Sequence, residues 1–137
     1  MDFSDCPCTG RTLDKLVKPL VMTFLAKGQL HGYGIQRLLE SQGSFAHGPP
    51  DLSGVYRSLK EMESQGYVES SWISNDGGPP KRCFSLTENG RACLAVWKKT
   101  LIDYRAQIDE LIGFMDELSP EELGGFEVEG KGKGGRP

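Results

Sequence analysis

The stretch Asp51-Leu52-Ser53-Gly54-Val55-Tyr56-Arg57-Ser58-Leu59-Lys60-Glu61-Met62, with Gln65-Gly66-Tyr67-Val68 after it and Arg82-Cys83-Phe84-Ser85-Leu86 further on, decides the fold. Leu52, Val55, Leu59 and Met62 recur at steps of three and four, the spacing of a helix that buries one face. Asp51 stands where an N-cap belongs, and Gln65-Gly66 closes the helix. The opposite face carries Ser53, Tyr56, Arg57 and Lys60 and is polar and basic. From Tyr67 to Ile73 the β-branched and aromatic residues predict a strand. Residues 74–80 read as a long turn, and Arg82 to Leu86 as the returning strand of a hairpin.

Upstream, Leu13, Leu16, Val17, Leu20, Val21, Phe24 and Leu25 repeat with helical spacing. Pro19 is favoured at a first helical position and costly inside a helix, so a leading turn to Lys18 and a helix over 19–26 are expected. A second helix is expected over 32–41, with Ile35, Leu38 and Leu39 inward, before a loop at 44–50 ending in Gly48-Pro49-Pro50. Two helices joined by a glycine- and proline-bearing connection are compatible with a helix-turn-helix. The order helix, helix, helix, hairpin is that of a winged helix, so the expected class is mainly α with a small β-hairpin wing.

Downstream, Thr87 caps a helix expected over 88–118, about 46 Å long at 1.5 Å per residue. Leu94, Leu101, Ile108 and Met115 repeat every seven residues, and Trp97, Tyr104, Leu111 and Leu118 repeat in the complementary register. A helix this long overshoots so small a core, and its apolar stripe needs another chain to cover it. A homodimer joined through Leu94, Trp97, Leu101, Tyr104, Ile108, Leu111 and Met115 is therefore expected. The domains expected are a poorly ordered arm over 1–11, a winged helix-turn-helix over 12–86, a dimerisation helix over 87–118 and a disordered acidic, glycine-rich tail over 119–137.

The formal charge of -3 conceals an asymmetry. Residues 11–99 carry twelve Lys/Arg against eight Asp/Glu, whereas residues 100–137 carry four against nine. A basic middle with an acidic end suits a surface held against phosphates. No run approaches the ~18 apolar residues of a membrane span, and the first residues, with Asp2 and Asp5, lack the basic flank of a secretory signal. A soluble cytoplasmic protein with no membrane partner is expected. Its four cysteines, Cys6, Cys8, Cys83 and Cys93, are read as free thiols, because nothing marks an oxidising compartment and a single Cys-x-Cys does not make a four-ligand zinc site.

Several short runs in order, Leu30-His31-Gly32-Tyr33-Gly34-Ile35, Val55-Tyr56-Arg57-Ser58-Leu59, Gln65-Gly66-Tyr67-Val68, Gly78-Pro79-Pro80-Lys81-Arg82 and Leu86-Thr87-Glu88-Asn89-Gly90, resemble the PadR family of transcriptional regulators. The resemblance covers about residues 17 to 115. It implies a dimeric winged-helix repressor of a nearby gene, commonly answering to a small molecule, with the third helix in the major groove and the wing on the DNA backbone. Ser53-Gly54-Val55-Tyr56 stands where the family usually shows Gly-Thr-Leu-Tyr, so operator sequence does not transfer. Cys83 replaces a frequent aromatic residue, while Phe84 is retained.

The candidate DNA-binding residues are Ser53, Tyr56, Arg57, Lys60, Lys81 and Arg82, the last two where the hairpin tip rejoins its strand. Tyr56 is read as a groove contact rather than a ring packed on its own helix. Arg57 and Lys60 are read as phosphate contacts, the competing reading being a solvated face paired with Glu40, Glu61 or Glu63. His31 is read as satisfying backbone groups at a helix start, not as a ligand. Trp97 and Tyr104 are read as dimer core, with Trp97 also the candidate effector contact. No cofactor, metal or enzymatic motif is expected. The alternatives are a winged-helix adaptor that binds protein, and a thiol or metal sensor centred on Cys6 and Cys8.

Overall fold

The computed structural model describes residues 15–42, 51–74 and 77–126. The N-terminal arm with Cys6 and Cys8, the start of the first expected helix, the loop at 44–50 with His47, and the end of the chain from 127 lie outside the described residues. Among the described residues the elements run α1 (Val17–Ala26), β1 (Leu30–His31), α2 (Gly32–Glu40), α3 (Leu52–Ser64), β2 (Val68–Ile73), β3 (Lys81–Leu86) and α4 (Glu88–Asp116). This is the expected class, helices with a hairpin wing. α1 starts two residues before Pro19, because the first turn of a helix leaves its N–H groups unused and tolerates a residue that has none.

β1 is the element the sequence analysis lacks. Its two residues pair antiparallel with β3, Leu30 opposite Phe84 and His31 opposite Cys83, giving a three-stranded sheet in the order β1-β3-β2. One core lies between the three helices and this sheet. It is built from Val17, Val21, Met22 and Leu25 of α1, Ile35 and Leu39 of α2, Val55, Leu59 and Met62 of α3, and Val68, Phe84 and Leu86 of the sheet. Leu38 and Leu52, expected inward, stand exposed. Leu38 sits on the flank of the stripe centred on Ile35 and Leu39, and Leu52 is the first residue of α3, ahead of the turn that reaches the core.

A knot of hydrogen bonds joins α3, the hairpin base and α4. Tyr67 N–H donates to the Met62 carbonyl (2.9 Å), and Thr87 N–H to the Tyr67 carbonyl (3.1 Å). Gly66, at φ +84°, makes the left-handed step out of α3. The Thr87 hydroxyl donates to the Gly66 carbonyl (2.7 Å) and accepts from Gly90 N–H (2.9 Å), which is the cap expected of it. A Cβ at Gly90 would overlap the Tyr67 carbonyl, so glycine lets α4 seat on the hairpin base.

The chain divides into two compact units, one ending at Lys98 and one beginning at Lys99. Cys93, Leu94 and Trp97 are half-buried against the core of the first unit, which therefore extends past the boundary at Leu86 drawn from sequence. Leu94 and Trp97, expected only on an intermolecular seam, spend part of their surface inside their own chain. In the second unit Tyr104, Ile108, Leu111 and Met115 are each at least half exposed. Just past α4, residues Ser119–Phe126, at the start of the tail expected to be disordered, form a hydrogen-bonded turn. Ser119 N–H donates to Glu122 Oε1 (2.8 Å), Glu122 N–H to Ser119 Oγ (3.2 Å), and Gly125 N–H to the Pro120 carbonyl (2.8 Å). The reciprocal first pair is a capping box, Ser-x-x-Glu with proline in the first turn, and its signal was present in the sequence. No helix among the described residues is long and apolar enough to cross a membrane.

Candidate nucleic-acid interface

α3 is held by its N-cap. The Asp51 carboxylate accepts from Gly54 N–H at 2.8 Å, and the extended backbone of Asp51 turns the chain into the helix. With Val55, Leu59 and Met62 in the core, the helical period turns Ser53, Tyr56, Arg57 and Lys60 to the opposite side, where all four are exposed. The acidic groups near this face are engaged elsewhere. Glu61 pairs with Lys18 of α1 at 2.6 Å, and Glu63 with Arg82 of β3 at 3.1 Å. Lys18, by its hydrogen bond and its charge, holds the Glu61 carboxyl below its ordinary value, and Arg57 adds a smaller pull in the same direction. Arg57 and Lys60 have no acidic partner within 4.0 Å among the described residues.

Tyr56 is both exposed and packed. Its ring meets Phe84 edge-on, centroids 6.0 Å apart, and lies against Gly32, where a Cβ would overlap it. It keeps 39% of its surface in solvent. The ring is held by the start of α2 and by β3 rather than by its own helix, and part of it stays in solvent.

The wing residues divide. Lys81 is exposed, with no ionic partner among the described residues. Arg82 turns back along the hairpin. Its Nε donates to Ser70 Oγ (3.1 Å), its guanidinium reaches Glu63 (3.1 Å), and it lies over the Phe84 ring at 5.3 Å. Ser70 completes the triangle by donating to Glu63 (2.8 Å). Arg82 thus fastens the wing to the end of α3, and its charge is half neutralised before any partner arrives.

β1 brings together residues the sequence analysis did not join. His31 caps α2, its Nδ1 accepting from Gly34 N–H at 3.0 Å, as its reading as a backbone-satisfying residue anticipated. The imidazole stacks with Tyr33 (6.5 Å, 6°), and Arg37 lies over the same tyrosine at 5.8 Å. His31, Tyr33, Tyr56, Trp72, Pro80, Lys81 and Arg82 line an open cleft of about 630 Å³ between α2, α3 and the wing. Tyr33 and Trp72 were the missed members. The available signal was the alternation of the wing strands, which puts Trp72 on the same face as Val68. Cys83 and Cys93 are free and half-buried, and no group of three metal-ligating side chains occurs among the described residues.

The transcriptional regulator PadR-like family model matches residues 21–96, from the middle of α1 to the first turns of α4. A solved structure from Thermoplasma acidophilum, TA0346, assigned as a transcriptional regulator, superposes with TM-score 0.63 at 28% identity, covering 75% of this chain and 96% of that one. Bacillus subtilis PadR, solved in complex with operator DNA, superposes with TM-score 0.53 at 26% identity over 60% of this chain and 45% of that one. A Mycobacterium tuberculosis protein assigned as a transcriptional regulator, Rv1176c, is 35% identical over 43 residues, 31% of this chain and only 23% of that protein's length. On the match of its winged-helix core to the family model, the chain belongs to the PadR-like family of transcriptional regulators.

Proposed function

We infer that this regulator binds operator DNA in the cytoplasm as a homodimer and represses a neighbouring gene, with α3 in the major groove and the wing on the flanking backbone. The observation that carries the reading is the outward face of α3. It offers Ser53, Tyr56, Arg57 and Lys60, while Glu61 and Glu63 are drawn off by Lys18 and Arg82. Two unpaired cations on an exposed helix beside a polar, aromatic edge suit phosphate contact flanking base contact. The B. subtilis relative, solved in complex with operator DNA, supports duplex DNA as the ligand.

The half-exposed stripe of Tyr104, Ile108, Leu111 and Met115 supports pairing of α4 with a second copy. Leu101 extends that seam toward Leu94 and Trp97, which also rest on the winged core. Trp97, half-buried against the winged core, is the residue an effector would contact. Both recognition helices dock only when their spacing matches one DNA turn, about 34 to 36 Å, or a multiple of it. A shift in the angle between winged domains then releases DNA. The test is a gel shift on the DNA upstream of the chain's own gene across salt concentrations. Retarded complexes that weaken steeply with salt support the reading, and a chain that ignores duplexes at low ionic strength overturns it in favour of a protein-binding adaptor.

A further inference from the structure

The inner face of the wing outruns the core. Residues directly opposite in an antiparallel pair share a face, so Val68 with Leu86, Ser70 with Phe84 and Trp72 with Arg82 form one row. Along that row Val68 is 2% exposed and Trp72 is 68% exposed. Trp72 therefore extends the side of the hairpin that is core at its base, yet stays largely in solvent among the described residues. It borders the cleft instead, with Tyr33 and Tyr56 also on the lining and Lys81 and Arg82 supplying positive charge. Among the described residues no carboxylate lines this cleft. His31 uses Nδ1 as an acceptor, so the proton of the neutral ring is on Nε2, a donor for an acceptor in the cleft.

We propose that this cleft seats one sugar–phosphate strand of the duplex, with deoxyribose against the Trp72 and Tyr33 rings and a phosphate on Lys81. The assignment rests on the DNA-binding function inferred above and adds Tyr33 and Trp72 to its interface. Three features select this occupant. The lining combines apolar ring faces with Lys81, which has no ionic partner among the described residues, and this suits a polyanion whose sugars carry C–H faces. Tyr56 and Lys81 belong both to the cleft and to the proposed DNA-facing set, so a duplex lying on α3 passes over the cleft mouth. The cleft is open, with Tyr33 57% exposed, whereas sites for small ligands bury some 70–90% of their occupant.

The two contributions separate by salt. Trp72→Ala removes apolar contact and lowers affinity about tenfold without altering the slope of log K against log[salt]. Lys81→Ala removes one phosphate contact from each half of the homodimer and lowers that slope by about 1.8. The chain has two tryptophans, and Trp97 is half-buried, so Trp72 dominates quenching by acrylamide. The experiment follows acrylamide quenching of the full-length chain and the anisotropy of a fluorescein-labelled duplex from upstream of its gene in the same cuvette, at about 50 mM salt where phosphate contacts are strong. Duplex is expected to shield the wild-type chain from acrylamide and to leave the quenching of Trp72→Phe, which retains only Trp97, unchanged; Trp72→Ala is compared at matched melting temperature. If anisotropy rises while wild-type quenching is unaltered, the seat is wrong and the DNA-binding function stands. If anisotropy does not rise, that function and the seat fall together.

Discussion

Gly32→Ala tests how the recognition helix is aimed. Gly32 opens α2 and is buried beneath the Tyr56 ring; a Cβ there would stand 2.5 Å from the tyrosine oxygen and 2.9 Å from Cε1, where ordinary contact begins at 3.4 Å. The ring must retreat by roughly 1 Å, which weakens its edge contact with Phe84, an interaction of about 0.5–1.5 kcal/mol. The backbone of Gly32 is not in the left-handed region, so alanine itself is tolerated and contributes about 0.4–1 kcal/mol by restricting the unfolded chain. The two effects nearly cancel, and urea unfolding should place Gly32→Ala within about 1 kcal/mol of wild type. DNA affinity should nonetheless fall about fivefold to tenfold, roughly 1–1.4 kcal/mol, because Tyr56 no longer presents the same edge. In a Tyr56→Ala background the overlap is gone, so the same Gly32→Ala change should become stabilising, a coupling that a double-mutant cycle reads directly. Unchanged affinity in Gly32→Ala, or no coupling in the cycle, would refute the claim that the start of α2 aims Tyr56.

Arg57→Ala and Lys60→Ala should each remove two phosphate contacts per homodimer and reduce the salt slope of DNA binding by about 1.8, measured by anisotropy, whereas Arg82→Ala should reduce it less because Glu63 already offsets its charge. Thr87→Val loses both the cap on Gly90 N–H and the bond to the Gly66 carbonyl, and should cost about 1–2 kcal/mol in urea denaturation. The Glu61 carboxyl titrates below its ordinary value of 4.5 in the folded chain, so its contribution is complete above that pH and is lost as pH falls through the lowered folded value. Melting temperature measured down to pH 3 should therefore fall less steeply for Glu61→Gln than for wild type, with a small difference because the pair is exposed.

Most of the winged helix was legible because each element announces itself by period. The stripe of α3 and its Asp51 cap read directly, as did the hairpin strands and the Thr87 cap. What escaped was set by tertiary partners. β1 is two residues long and exists because β3 lies beside it, and no local propensity marks so short a strand. Heptad spacing located the apolar face of α4 but could not say that Leu94 and Trp97 meet the chain's own core first. The outward residues of α3 were legible for the same reason as its inward ones. The engagement of Arg82 by Glu63 was not, since nineteen residues separate them and only the packing of the α3 end against the hairpin brings them together. At Ser119–Phe126 the capping box of Ser119 and Glu122 was legible in the sequence, although glycine and acidic composition dominate that stretch.

The central claim is that two copies present two α3 helices to one face of a duplex. Hydroxyl-radical footprinting of the wild-type chain on the DNA upstream of its own gene tests it most directly. Two protected segments are expected, centred about 10 base pairs apart or at a whole multiple of that spacing, and related by a two-fold axis. A single protected segment, or a pair out of phase with the helical repeat, would contradict it.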